Sequence, residues 1–321
     1  MLRAALLVVL LIVALDASPV QADQILPTSP VITDTRCPQP PAIKARGFRH
    51  KRSKQIARAG SPNHRGIDLI ASEDAAQQVI GGKLGHGKFD KDLEDEDAEV
   101  FACVDATWKT LGVERTNDDG RFELVLLQRL PTGMRDLYVA SVGDGSGSYF
   151  VGYVAARGAG VVVSDIDGTL SWSENSIIRQ VVKRSHDIKH RPHAPEALTA
   201  LPYPIVYTTA RGDVFLNSTR GWLTRHGFPR GLLRLAHGAF ARPGKSAIAY
   251  KTTTLQALGV AIVAGIGNRK SDITAYTNVG LTGKRIFIHV PEYEEEVRAD
   301  LDQGRAIGVP DYRELPKLVP R

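Results

Sequence analysis

Two aspartates stand two positions apart in VVVSDIDGTL, residues 161–170, directly behind a run of valines. The valines read as a buried strand, which puts Asp165 and Asp167 at its carboxyl end. Side chains two apart on extended backbone point the same way, so both carboxylates face one reacting centre. One can attack phosphorus while the other protonates the leaving oxygen and then deprotonates water. Gly168 lets the chain turn sharply after them. Later apolar runs are followed by a second set: Thr209 in PIVYTTA, then Asn268 and Asp272 in GIGNRKSD, with Lys251 between. Carboxylates suit a divalent cation, and Mg²⁺ prefers oxygen ligands and a few carboxylates beside a phosphate. Asp165 and Asp272, from different strand ends, converge on such an ion in this reading, and its charge offsets the cost of gathering them. Thr209 and Lys251 are placed to bind phosphoryl oxygens.

Those positions demand a particular scaffold. From Gly158 onward VVVSD, PIVYTTA, LLRLA, AIVAGIG and RIFIHV are short apolar runs. NSIIRQVVKR, DVFLNSTRGWLTRHG and SAIAYKTTTLQALG lie between them with helical spacing. This alternation predicts an α/β, Rossmann-like domain with a mainly parallel sheet over 158–321, where ligands bind beyond the strand carboxyl ends. Residues 66–157 read differently. AEVFACVDATW, GRFELVLLQ and RDLYVASVG are strand-like and separated by turn clusters, which predicts an all-β, sandwich-like domain. Its acidic run DKDLEDEDAE lacks EF-hand spacing and reads as a solvated loop rather than a calcium site.

DIDGT, VYTTAR, YKTTTLQAL and AGIGNRKSDITAY resemble, in order, the motifs of the haloacid-dehalogenase (HAD) superfamily of phosphatases. More closely, they resemble the catalytic domain of lipin-type Mg²⁺-dependent phosphatidate phosphatases. The resemblance covers roughly 160–290. It implies Asp165 as nucleophile, Asp167 as acid/base and Thr169 as the last member of DxDxT. It also implies Thr209 and Lys251 as phosphate ligands, and Asn268 with Asp272 as the GNRxxD element. Mg²⁺ would be held by Asp165, Asp272 and the carbonyl of Asp167. Lys245 is the second candidate for the lysine. GKFDKDLEDEDAEV and TNDDGRFEL resemble the region preceding the catalytic domain in lipin-related and phosphatidylinositol-transfer-related proteins. Relatives in the transfer group bind phosphatidate after losing the catalytic aspartates, both of which this chain retains.

Between Asp167 and Thr209 there is room for one helix, so any cap is minimal and the site admits bulky substrates. The expected function is a Mg²⁺-dependent phosphatase acting on phosphatidate or a related lipid phosphate monoester through a phospho-aspartyl intermediate. The alternatives are a non-catalytic module for phosphatidate or another anionic lipid, and a phosphatase for phosphoproteins or soluble esters.

The remaining features concern location and partners. The chain has 321 residues, 43% hydrophobic and 24% charged, enough for two modest domains. Residues 1–22 combine Arg3, the apolar ALLVVLLIVAL and a small-residue end at Ala22, the pattern of a cleaved signal peptide. An exported protein, periplasmic or secreted, is therefore expected. Export permits a Cys37–Cys103 bridge, while a free tail thiol and a core cysteine fit equally. Residues 23–65 read as a basic, proline-containing linker. Its IKARGFRHKRSKQIARAG is suited to an anionic phospholipid surface and, with few aromatics, not to nucleic acid. His186, His190 and His193 read as a polar helix end rather than a metal site, Asn217 as a sequon within a helix, and Trp172 and Trp222 as core residues.

Overall fold

In a computed structural model, residues 32–172, 188–238 and 245–321 are described. The valine run forms the strand Gly160–Asp165 at the centre of a six-stranded, wholly parallel sheet. In chain order its strands are 160–165, 205–212, 232–236, 261–267, 286–289 and 307–309. Across the sheet they lie 3-2-1-4-5-6, the doubly wound order in which the crevice opens between the first and fourth strands. Asp165 ends the first and Asn268 follows the fourth. The central strand is buried along its whole length because both faces are covered, which explains the unbroken run of valines. Val162 joins a core with Leu198 and Trp222 on one side. Val161 and Val163 join Leu255, Ile273 and Tyr276 on the other. The last strand, Ile307–Val309, was not expected, its three residues being too short to show a period.

The preceding region is a β-sandwich. Strands 69–72, 147–155, 133–141, 97–104 and 107–115 form the larger sheet in that order, and 65–66, 79–83 and 121–125 the smaller. Ile80, Phe122 and Leu124 of the smaller sheet pack on Val100, Leu137 and Phe150 of the larger. The sandwich is fused to the parallel sheet: Met134, Val151 and Tyr153 share one apolar cluster with Val161, Val206 and Leu232. A buried carboxylate clasps the junction. Asp68 accepts from Val151 N (2.8 Å) in the sandwich and from Leu233 N (2.7 Å) at the edge of the parallel sheet. Arg220 of the helix Leu216–Arg225 pairs with both its oxygens at 2.7 and 2.9 Å.

Several expectations are corrected here. The expected linker, over its described part, belongs to the sandwich. Asp34–Thr35 pairs with 133–141, Lys51–Ala59 is a helix, and Cys37 is bonded to Cys103. The acidic run is partly exposed, as a solvated loop would be, but its carboxylates are paired: Asp90 and Asp92 meet Lys83, Glu94 meets Arg52, and Asp95 meets His50 and Arg115. Buried Glu96 accepts the backbone N–H groups of Arg49 and His50. The basic and acidic stretches complement one another, a pairing across about 40 residues that neither stretch reveals alone. Trp172 is 52% exposed rather than core, with the Arg191 guanidinium over its ring, whereas Trp222 is buried as expected. Residues 1–22, NSIIRQVVKR, His186 and the side chain of Lys245 lie outside the described residues, as does much of the segment that would form a cap. Among the described residues no helix is long and apolar enough to cross a membrane.

The disulfide closes a separation of 66 residues. Replacing both cysteines by serine is expected to lower the unfolding free energy by about 4 kcal/mol, the loop-closure scale for that length. Urea unfolding of Cys37→Ser/Cys103→Ser against the oxidised wild type measures this, and coincident midpoints would refute it.

Candidate active site

Asp165, the last residue of its strand, is buried and accepts from Lys251 Nζ at 2.7 Å. Its other oxygen is 2.9 Å from Thr169 Oγ1, which also lies 3.0 Å from Asn268 Oδ1. Gly168, at φ +76°, provides the left-handed turn that returns Thr169 to the strand end. Asp272 sits in the first turn of the helix Lys270–Asn278, and its Oδ2 accepts the N–H groups of Asn268 and Arg269, both at 3.1 Å. This capping role explains the short GNRxxD spacing. A Cβ on Gly267 would fall 2.4 Å from that of Asp272, so only glycine lets the strand end approach so closely. The second Asp272 oxygen is left for Lys251, 2.5 Å away. Lys251 arrives on the buried stripe of the helix Lys245–Gln256 that also carries Leu255.

Asp167 is partly exposed and belongs to a second group of contacts. Thr209 Oγ1 donates to it at 2.6 Å, and Arg211 holds it through Nε (3.1 Å) and Nη2 (2.6 Å). Every expected site residue with a side chain therefore reaches one end of the sheet. Arg211 was missed. It lies inside the VYTTAR motif, but nothing in its spacing distinguishes a structural from a functional arginine. Arg191 was missed as well: it donates to Gly168 O at 2.9 and 3.1 Å and pairs with Glu292, bracing the aspartate loop. Tyr312 OH donates to Thr169 O at 2.8 Å from near the end of the chain. His190 and His193 do not converge: His190 packs on His226, and His193 is the exposed residue before the helix Ala194–Thr199. Asn217 donates its side-chain amide to His64 O at 3.0 Å, which engages the sequon nitrogen.

The electrostatics are those of a crowded anionic pocket. Burial, with Asp272 and Asp167 nearby, pushes Asp165 up to about 7 against the opposing pull of Lys251. Burial disfavours the Lys251 ammonium, but the Asp165 and Asp272 charges outweigh it and hold its pKa above the usual lysine value. In this cluster three carboxylates face one ammonium and one guanidinium. The donors are all oxygen, and Asn268 Nδ2 is buried without a hydrogen-bond partner. The excess of carboxylate over cationic groups fits a hard divalent cation, and the unpaired amide fits an anion beside it.

Residues 162–289 match the family model described as the LNS2 domain of PITM 1-3, and 62–154 that of the PITM 1-3 beta-sandwich domain. A PITM-type β-sandwich is followed here by an LNS2 domain, which is HAD-like. The mouse membrane-associated phosphatidylinositol transfer protein 3 is 29% identical over 77% of this chain and 26% of its own length. Rat membrane-associated phosphatidylinositol transfer protein 1 is 27% identical over 79% and 21% respectively. The Drosophila melanogaster protein retinal degeneration B is 29% identical over 74% and 19%. The chain thus spans about a quarter or less of the curated relatives it matches.

Within this LNS2 domain Lys251 is the cation shared by two buried carboxylates. Lys251→Met is expected to lower stability by about 3 kcal/mol in chelator-treated protein, the scale for leaving buried charge uncompensated. Added Mg²⁺ should recover part of that loss. Urea midpoints with and without Mg²⁺ measure both, and an unshifted midpoint would remove Lys251 from this role.

Proposed function

We propose that the LNS2 domain engages the phosphate monoester headgroup of an anionic lipid, phosphatidate being the simplest, at a membrane surface. The names of the relatives, membrane-associated phosphatidylinositol transfer proteins, support the lipid part of this reading. The exposed Lys51, Lys54 and Arg58 on the helix Lys51–Ala59 suit an anionic surface. The Cys37–Cys103 bond suits an oxidising compartment, and so supports the reading of residues 1–22 as an export signal.

The finer proposal is hydrolysis, and it rests on one observation: Asp165, Lys251 and Asp272 meet at the switch point of the sheet. Asp165 attacks phosphorus through a carboxylate oxygen, the ester P–O bond breaks, and its electrons pass to the leaving oxygen, which takes a proton from Asp167. Asp167 then removes a proton from water as that water attacks the phospho-aspartyl phosphorus, releasing phosphate and freeing Asp165. Lys251 and Thr209 hold non-bridging oxygens throughout. Mg²⁺ held by Asp165, Asp272 and the Asp167 carbonyl would supply positive charge beside those oxygens. Asp167 must leave its pairing with Arg211 to reach a leaving oxygen. That pairing favours a second reading, recognition of the headgroup without turnover, as do the relatives.

Phosphate release from phosphatidate vesicles, with and without Mg²⁺, separates these readings, with a soluble aryl phosphate alongside. Hydrolysis predicts Mg²⁺-dependent release that falls at least about 1,000-fold in Asp165→Asn. Vesicle binding without release from either substrate leaves the recognition reading, and release from the soluble ester alone discards the lipid. Binding that weakens in Lys51→Glu/Lys54→Glu/Arg58→Glu and in high salt would assign membrane attachment to the basic helix.

A further inference from the structure

Three ligand-type side chains meet in the sandwich, outside the aspartate cluster. His64 precedes the strand Arg65–Gly66, His86 ends Gly85–His86, and Asp144 lies in the turn between 133–141 and 147–155. One ligand atom of each lies within 4.8 Å of the others, the sole such group among the described residues. Both imidazoles are buried, while Asp144 opens to solvent.

The decisive geometry is at His86. Its Nδ1 lies 3.1 Å from Gly60 O, a contact that needs the proton on Nδ1. In the neutral ring Nε2 then carries the lone pair, and it is buried with no hydrogen-bond partner. It points at Asp144 Oδ2, 3.5 Å away, which also offers only lone pairs. A neutral His86 ring thus sets two acceptors face to face, which repel unless a proton or a metal cation stands between them. Their separation matches the spacing of neighbouring ligands in a tetrahedral site, about 3.4 Å for bonds of about 2.0–2.1 Å.

We propose that His64, His86 and Asp144 bind a borderline divalent cation, zinc in the first instance, with the fourth position open to solvent. Two imidazoles and a carboxylate form a zinc-type donor set, whereas the all-oxygen aspartate cluster suits a hard ion, so the two sites differ in chemistry. Asp144 is already oriented, because Ser146 donates its N–H (3.1 Å) and hydroxyl (2.6 Å) to Oδ1 and leaves Oδ2 toward His86. His64 is the ligand that adjusts. Its Nδ1 accepts from Gly85 N at 3.2 Å and its Nε2 lies 2.8 Å from Ser146 Oγ. Ligation through Nε2 moves the proton to Nδ1 and gives up both contacts. The bound ion would tie the turn that carries Asp144 to the segments of His64 and His86, which are already joined by the backbone bonds Asn63 N to Gly85 O and Gly87 N to Ser61 O.

The test uses the full chain, stripped with chelator and dialysed against micromolar Zn²⁺ in excess Mg²⁺, with metal content read by mass spectrometry. One equivalent of zinc is expected in the wild type and equally in Asp272→Asn, which separates this site from the aspartate cluster and from any phosphatase activity. His86→Gln and Asp144→Asn are expected to weaken binding at least about tenfold. Asp144 is on an exposed turn, so its variant tests the site without disturbing the core, and circular dichroism checks that it folds. No zinc retained by the wild type, or equal retention in His86→Gln and Asp144→Asn, overturns the proposal.

Discussion

The ammonium of Lys251 between Asp165 and Asp272 is the contact on which this end of the molecule depends. Two carboxylates on neighbouring strand ends repel in a buried crevice, and desolvation adds to that cost. Lys251 reaches both, at 2.7 and 2.5 Å, which fixes the approach of its helix to the sheet. Burial, with Asp272 and Asp167 beside it, keeps the Asp165 pKa raised in spite of the ammonium. A site with surplus carboxylate is suited to receive further positive charge and, through it, an anion.

The rest of the architecture holds this crowded end in place. Gly168 O is gripped by Arg191 and Thr169 O by Tyr312, so the aspartate loop is fastened from two distant parts of the chain. Asp68 binds the sandwich to the edge of the parallel sheet, filling its lone pairs with backbone N–H groups from both sides and with Arg220. Asp213, just after the Thr209 strand, receives Arg65 and Arg121 from the sandwich. The β-domain is thus mechanically continuous with the candidate site. That continuity gives a physical reason for the two domains to occur together.

Opposite charge also organises the sandwich itself. Arg49, His50 and Arg52 close on the acidic stretch 94–97, leaving the outer face of the basic helix toward solvent. A segment that reads as a free tail is instead half-satisfied internally and half presented outward. The disulfide at Cys37 ties the same segment to the strand 97–104 of the larger sheet.

What the sequence determined by itself is whatever local period and spacing carry. The unbroken valines marked a doubly covered strand, and the ends of successive apolar runs marked Asp165, Asp167, Thr209, Asn268 and Asp272, because parallel sheets present those ends together. Lys251 was legible from its motif and its helix. Tertiary structure alone decided everything that depends on residues far apart in the chain. Arg211 became the partner of Asp167, Arg191 and Tyr312 became braces, Asp68 became a clasp, and Cys37 chose Cys103. His64, His86 and Asp144 came together because three turns of a sandwich happen to meet, and none of the three has a neighbour in sequence that announces it. Local pattern constrains backbone direction and burial, while a charge finds its partner only after the chain has closed.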